Sequence, residues 1–172
     1  MAVEVRRLRE EDDRASFSSG DDDLDRFFRR YAGQNQFRSH LGTTWVAADG
    51  RRLLGYATVS SGSLEIDRLP AAARKRLPRH PLPILRLARL AVDGASQGRG
   101  VGHLLLRAVF QLALKMADDY GCVGVVVDAK ERAAAFYARF GFFELEAVEG
   151  LLSTRPQPRA LFLPIDEIRA AR

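Results

Sequence analysis

The sequence predicts one α/β domain over residues 1–172, built on a mixed sheet covered by helices on both faces. Three observations carry that reading. β-rich runs alternate with segments of helical periodicity, an Asp-Gly turn joins two of those runs into a hairpin, and the second half reads strand–helix–strand–helix. A chain of 172 residues falls within the size of one domain and can bury a core without staples.

Val3-Glu4-Val5 reads as a short first strand. Asp22 or Asp23 suits the N-cap of a helix whose apolar positions are Leu24, Phe27, Phe28 and Tyr31, the i, i+3, i+4, i+7 stripe, with Arg26, Arg29 and Arg30 on the other face. Thr43 to Ala48 and Leu53 to Ser60 flank Asp49-Gly50 and form the hairpin, with Trp45 read as core. Residues 65–83 hold Pro70, Pro78, Pro81 and Pro83, so a short helix or loop excursion is expected there. Ile84 to Val92 reads as a buried strand, broken by Gln97-Gly98-Arg99-Gly100-Val101-Gly102. A long helix follows, with Val101, Leu104, Leu105, Ala108, Val109, Leu112 and Met116 on one face, and Gly121 suits its C-terminal left-handed position. Val123 to Val127 is a second buried strand, Lys130 to Phe140 a helix closed by Gly141, and strands around Phe142–Ala147 and Ala160–Leu163 complete the sheet.

Composition narrows the function classes. No apolar run approaches the roughly 20 residues needed to span a bilayer. The stretch from Met1 to Arg7 lacks the apolar segment of a signal peptide. One cysteine cannot form an internal disulfide, and His40, His80 and His103 have no metal-ligand spacing. The expectation is a cytoplasmic protein without a metal and without a membrane partner. The net charge of +5 is unevenly placed: residues 1–25 carry −5, residues 26–70 carry +4 and residues 71–100 carry +6. A positive middle favours an anionic ligand such as phosphate or nucleic acid, although a basic loop that only aids solubility has the same composition.

The segment Gln97 to Gly102 lies between a buried strand and a helix N-terminus, where free backbone N–H groups and the helix dipole make an anion site. Gly98, Gly100 and Gly102 carry no Cβ, so a pyrophosphate can approach the backbone, and Arg99 adds charge. The loop lacks the Gly-Lys-Ser/Thr of a P-loop and the spacing of a dinucleotide fingerprint. A tight strand-to-helix turn with no ligand is the competing explanation.

Leu90-Ala91-Val92-Asp93 followed by Gln97-Gly98-Arg99-Gly100-Val101-Gly102 resembles the acetyl-CoA signature of the GNAT acetyltransferases, Q/R-x-x-G-x-G/A. Ala135-Phe136-Tyr137-Ala138-Arg139-Phe140-Gly141-Phe142 resembles the second marker of that family, a helix carrying Phe-Tyr and ending in Gly-Phe. The resemblance implies the GNAT fold, with a mixed, mostly antiparallel central sheet and helices on both faces. Phe17 through Leu24 to Phe28, Gly33-Gln34-Asn35-Gln36, Gly55-Tyr56, the Pro78 to Pro83 run and Leu87-Ala88-Arg89-Leu90-Ala91-Val92-Asp93 are similar to the GNAT toxins of bacterial toxin–antitoxin pairs. Those toxins acetylate the α-amine of aminoacyl-tRNA, block translation and are neutralised by a ribbon-helix-helix antitoxin; they often dimerise, which admits a homodimer here. The acidic start and the Glu144–Pro158 stretch depart from the compact toxins.

The resemblance places the pyrophosphate of acetyl-CoA on the amides of Gly98 to Gly102, bordered by Gln97, Arg99 and Val101. The pantetheine then runs along Leu90, Ala91 and Val92, with Phe136 nearby. A backbone N–H near Val92 or Ala91 suits the thioester carbonyl as negative charge develops. Tyr137 matches the family's general acid for the departing thiolate; without the resemblance it reads as a core aromatic beside Phe136 and Phe140. No carboxylate lies between Ile84 and Val92, and Glu65 is the one nearby candidate base, with a merely solvated side chain as the favoured alternative. A missing base favours an α-amine acceptor, near pKa 7.7–8.0, over a lysine near 10.4. Arg29, Arg30, Arg74, Lys75, Arg76 and Arg79 suit the phosphates of an acceptor stem. Arg89 either lines the acceptor pocket or forms a structural ion pair with Asp128, and Asn35 either borders that pocket or caps a helix. Cys122 reads as a small apolar filler. The alternative functions are a GNAT enzyme acting on a small-molecule or protein amine, and a binding module for acyl-CoA or nucleic acid.

Overall fold

The computed structural model describes residues 2–75, 77–146 and 159–171. Its strands are β1 (Glu4–Arg7), β2 (Thr43–Asp49), β3 (Arg52–Leu64), β4 (Leu82–Val92), β5 (Gly124–Ala129), β6 (Phe143–Glu144) and β7 (Arg159–Pro164). Its helices are α1 (Asp22–Arg26), α2 (Ala32–Phe37), α3 (Ala71–Arg74), α4 (Val101–Asp119), α5 (Glu131–Ala138) and α6 (Ile165–Ala170). The strands form one mixed, mostly antiparallel sheet in the order β1-β2-β3-β4-β5-β7-β6. No helix of the described residues is long and apolar enough to cross a membrane.

The chain falls into two compact units, Met1–Ser60 with Leu87–Leu112 and Ser61–Arg86 with Ala113–Arg172. In the first, the hairpin forms as its Asp-Gly turn predicts: Gly50 adopts φ +59, and Asp49 pairs with Arg52. Alternation of side chains along β2 sends Val46 and Ala48 into a core with Leu8, Phe17, Phe27, Phe28, Leu53 and Tyr56. Trp45 points the other way and is only half-buried, so the expectation of a core tryptophan fails. Tyr56 is fully buried, stacked on Phe28 at 4.4 Å between centroids, and its hydroxyl donates to the Leu24 carbonyl at 2.7 Å. Gly55 is required by packing: a Cβ there would lie 2.9 Å from the Ala91 carbonyl and 3.0 Å from Val101.

The helix expected from Leu24 to Tyr31 is capped by Asp21, one residue before the first of the two proposed aspartates. Asp21 enters extended (φ −111, ψ 110) after Gly20 at φ +95, and its carboxylate accepts from the amides of Asp23 and Leu24. The helix is also not uniform. Phe27–Tyr31 is π-helical, with the Ala32 amide donating to the Phe27 carbonyl. That wider turn breaks the 3.6-residue stripe, so Phe27 and Phe28 are buried while Tyr31 is 46% exposed. The stripe expected on α4 is likewise rotated: Leu104 is exposed, whereas Leu105, Leu106, Val109 and Ala113 are fully buried.

The second unit is built on β5 and β7, paired antiparallel through Val125↔Leu163, Val126↔Phe162 and Val127↔Leu161. Its core gathers Leu64, Leu69, Leu82, Ile84, Val126, Leu145 and Phe162. The proline-rich excursion is a short 3₁₀ turn (Ile66–Arg68) and α3, with Leu69 1% exposed as its anchor. Gly121 ends α4 at φ +108 and donates to the Met116 carbonyl at 2.8 Å, and Gly141 follows α5 at φ +95. The terminal helix α6, begun after Pro164, has no counterpart in the sequence reading. Ala147 and most of the Glu144–Pro158 stretch lie outside the described residues.

Candidate active site

β4 delivers the candidate site. In its first half Leu82, Ile84, Leu85 and Leu87 are buried; beyond them Ala88, Arg89, Leu90 and Val92 are half-buried and Ala91 is covered, at 5% exposure. At its end the Asp93 amide donates to the Leu54 carbonyl at 2.8 Å. The Asp93 carboxylate accepts from Ser18 N at 3.0 Å and Ala95 N at 3.3 Å, which caps a single 3₁₀ turn, Gly94–Ser96. Gln97 then turns inward, its side-chain amide donating to the carbonyls of Ser19 at 2.9 Å and Val92 at 3.1 Å. The loop is therefore anchored at both ends before α4 begins.

Between Gln97 and Val101 the backbone turns twice through the left-handed region, Gly98 at φ +78 and Gly100 at φ +81, with exposed Arg99 between them. A Cβ on either glycine would meet nothing within 4 Å. The glycines are needed for their dihedrals, and the space above them is open. At this end of α4 the Leu104 amide donates to the Gly100 carbonyl at 3.1 Å, so the helix takes its first turn directly from the glycine loop. Alternating backbone handedness and a helix N-terminus together fit a pyrophosphate. The sequence-predicted residues Leu90, Ala91, Val92, Gln97, Gly98, Arg99, Gly100, Val101 and Gly102 all lie on this one continuous strand–loop–helix segment of the first unit. Ser18, Ser19 and Asp93, which hold the loop's shape, had no role in the sequence reading; an Asp followed two residues on by a backbone turn is the signal that marks the last of them.

Arg89 lies in the same unit, its guanidinium carbon 3.8 Å from the centroid of the Phe27 ring. The ion pair with Asp128 is not its own: Arg86 makes that bond, at 2.8 Å. A strand's alternation separates these two arginines by an odd number of positions, which puts them on opposite faces. Burial raises the Tyr56 phenol above its ordinary range, and the nearby Arg89 charge opposes that rise. Asn35 is half-buried on α2, where its carbonyl accepts from the Leu41 amide.

Tyr137 is on α5 in the second unit, 5% exposed, edge-on to Phe136 at 5.1 Å and to Phe142 at 5.5 Å. Burial raises its pKa, so the phenol keeps its proton throughout the physiological range. Phe136 is half-buried and also packs edge-on against Phe140 at 5.3 Å. Cys122 is buried with its thiol donating to the Gly124 carbonyl at 3.2 Å; burial pushes its pKa up, as for an inert core thiol. Glu65 is exposed at the start of the 3₁₀ turn, where its side chain makes no capping bond.

The basic residues are divided between the two units. Arg29 and Arg30 are both exposed, and the Arg29 guanidinium donates to the Phe17 carbonyl. Arg74 is half-buried, and Lys75 and Arg79 are exposed, all in the second unit; Arg76 lies outside the described residues.

Comparison with known proteins fits this geometry. Residues 40–144 match the family described as the acetyltransferase (GNAT) domain, a span that includes β4, the glycine loop, α4 and Tyr137. The chain is 37% identical over 138 residues to the "tRNA-acetylating toxin" of Mycobacterium tuberculosis, covering 80% of this chain and 82% of that protein. Among solved structures, a tyrosine-to-phenylalanine variant of KacT superposes with a TM-score of 0.86 at 27% identity, over 100% of both chains. AtaT complexed with acetyl-methionyl-tRNAfMet superposes with a TM-score of 0.85 at 25% identity, over 99% of both. With a family model matched over more than half of its length and a relative 37% identical across four-fifths of it, the chain belongs to the GNAT acetyltransferases.

Proposed function

We propose that this enzyme transfers the acetyl group of acetyl-CoA to the α-amine of aminoacyl-tRNA and thereby blocks translation, acting as one catalytic domain over residues 1–172. The observation that carries the proposal is the 37% identity to a tRNA-acetylating toxin across four-fifths of the chain. The likeness to AtaT, solved with an acetylated aminoacyl-tRNA, supports the same reading.

The chemistry divides among the named residues. The amides of Gly98 to Gly102 hold the pyrophosphate with Gln97 and Arg99, and the pantetheine runs along Leu90, Ala91 and Val92. The neutral α-amine attacks the thioester carbonyl carbon, and a backbone N–H of the Ala91–Val92 edge stabilises the oxyanion. As the C–S bond breaks, the Tyr137 hydroxyl gives its proton to the CoA sulfur, and the proton lost by the amine passes through solvent to restore the Tyr137 phenol. A tyrosine held protonated by burial suits that task. On β4 the ionisable side chains are Arg86 and Arg89, so the acceptor amine must arrive neutral by its own pKa, as an α-amine near 7.7–8.0 does. Arg30, Lys75, Arg79, Arg74, Arg76 and Asn35 are assigned to the RNA. A ribbon-helix-helix antitoxin is the proposed protein partner, a homodimer the proposed assembly, and the cytoplasm the place where the substrate is met.

The test is transfer of labelled acetyl from acetyl-CoA to total charged tRNA, beside uncharged tRNA and a panel of free amines. Label confined to charged tRNA, and lost in Tyr137→Phe, is the expected result. Label on a free amine with charged tRNA untouched would leave a small-molecule acetyltransferase instead.

A further inference from the structure

Arg89 is a half-buried cation whose charge no carboxylate neutralises: among the described residues none lies within 4.0 Å of it. What it has is the face of Phe27. A cation–π contact orients a guanidinium but leaves its in-plane N–H groups unspent, and those groups form the fork that pairs with a phosphate through two parallel bonds. Phe27 itself is held from three sides. It begins the π-helical turn, it is 6% exposed, and its ring lies 6.3 Å from that of Tyr56, which is pinned to the Leu24 carbonyl. The wider turn is what sends Phe27 inward as Arg89's platform while Tyr31 is left exposed. Arg89 also shares its strand face with Ala91, two residues on, and Ala91 packs in the same cluster as Phe27.

We infer that Phe27 is a positioning residue which holds the Arg89 guanidinium flat, with its fork presented to a phosphodiester of the terminal nucleotides of an RNA acceptor, two residues from the strand segment assigned to the thioester. The inference rests on the reading of the acceptor as RNA-borne. It separates two jobs on β4: the backbone from Leu90 onward serves acetyl-CoA, and the side chain of Arg89 serves the acceptor.

The experiment uses two readouts on the full chain. The first is direct calorimetric binding of the trinucleotide CCA, the 3′ end of tRNA, which needs no acetyl transfer. The second is the steady-state kinetics of acetylation of charged tRNA. Phe27→Leu and Arg89→Gln are each expected to weaken CCA binding about tenfold and to raise KM for charged tRNA to match, with kcat and acetyl-CoA affinity held. Arg89→Gln flattens the salt dependence of binding by about 0.7 in log–log slope, as loss of one single-strand phosphate contact requires. The double variant is no weaker than Arg89→Gln alone, and Phe27→Trp, which keeps a ring under the guanidinium, restores binding. Failure of the wild-type protein to bind CCA, an unchanged affinity in Arg89→Gln, or an equal loss of acetyl-CoA affinity in Phe27→Leu overturns the inference. Binding of CCA by wild type without acetylation of charged tRNA overturns the proposed function while leaving this contact standing.

Discussion

The side-chain amide of Gln97 closes back on the carbonyl of Val92, 3.1 Å away and five residues earlier, while also holding the Ser19 carbonyl at 2.9 Å. One side chain therefore fixes both the end of β4 and the approach to the left-handed glycine turn. The two bonds are solvent-exposed, so their stabilising contribution is modest, but their geometry sets where the loop's amides point.

Gln97→Ala is expected to lower stability by no more than about 1–2 kcal/mol, the loss of two ordinary hydrogen bonds. Its effect on acetyl-CoA is expected to be larger, with Kd rising about tenfold, because a loop no longer pre-organised must be ordered on binding. Thermal unfolding alongside calorimetric titration with acetyl-CoA separates the two effects. A stability loss with unchanged affinity would show that the amide only holds the chain.

Gly100→Ala tests the turn in a second way. At φ +81 an alanine costs about 1–2 kcal/mol in backbone strain, yet its methyl would meet no protein atom within 4 Å. The methyl instead points into the open space assigned to the pyrophosphate. Stability is expected to fall by the strain alone, and acetyl-CoA affinity by much more than that strain explains. Gly20→Ala, also at positive φ with nothing within 4 Å, is the control that carries the strain without the ligand effect.

The glycine turns were legible in the sequence because their cause is local. Gly98, Gly100, Gly121 and Gly141 all take positive φ where strand or helix ends demanded it. The order of strands and helices was legible for the same reason, as was the motif around Tyr137. What was not legible depends on partners distant in sequence. Arg89's neighbour is Phe27, and Gln97's is Ser19, both more than sixty residues away and brought together only by the fold. The π-helical turn escaped because reading a stripe assumes 3.6 residues per turn, and the sequence from Leu24 to Tyr31 satisfies that stripe on paper. Trp45 was misplaced because a strand shows alternation but does not say which face is the deeper.

Tyr137→Phe is expected to reduce kcat by about 10²–10⁴-fold, the range for loss of a general acid, while acetyl-CoA affinity and the melting temperature stay near wild type. The ring and its edge-on contacts to Phe136 and Phe142 are retained by phenylalanine, so the change isolates the hydroxyl. A fully active variant would return Tyr137 to the role of a core aromatic.

Alkaline stability follows from two phenols at once. Tyr56 and Tyr137 both have pKa values raised by burial. Each is protonated in the folded state at a pH where the unfolded chain, titrating near 10, releases its proton. The stabilisation is therefore intact below about pH 10 and is lost as pH rises further. Chemical denaturation at pH 9 and at pH 10.5 should show that loss, and Tyr137→Phe should lessen it by removing one of the two groups.

The acid side is set by a different pair. Arg6 grips Asp12 through two bonds, Nη1 to Oδ2 at 2.8 Å and Nη2 to Oδ1 at 2.9 Å, and the Arg9 amide adds a third at 2.8 Å. The hydrogen bond from Arg6, chiefly, holds the Asp12 carboxyl below the usual carboxylate range. A lowered pKa means the contribution is complete above about pH 4 and disappears as pH falls through the lowered value. Asp12→Asn keeps the shape and removes the charge, with an expected loss of about 1–3 kcal/mol at pH 7. As pH falls through the lowered value and the wild-type carboxyl takes up its own proton, the two proteins should converge in stability. Urea unfolding of both across a series from pH 7 downward decides the matter: a difference that stays constant across the whole series would assign the loss to packing around Asn rather than to the ion pair.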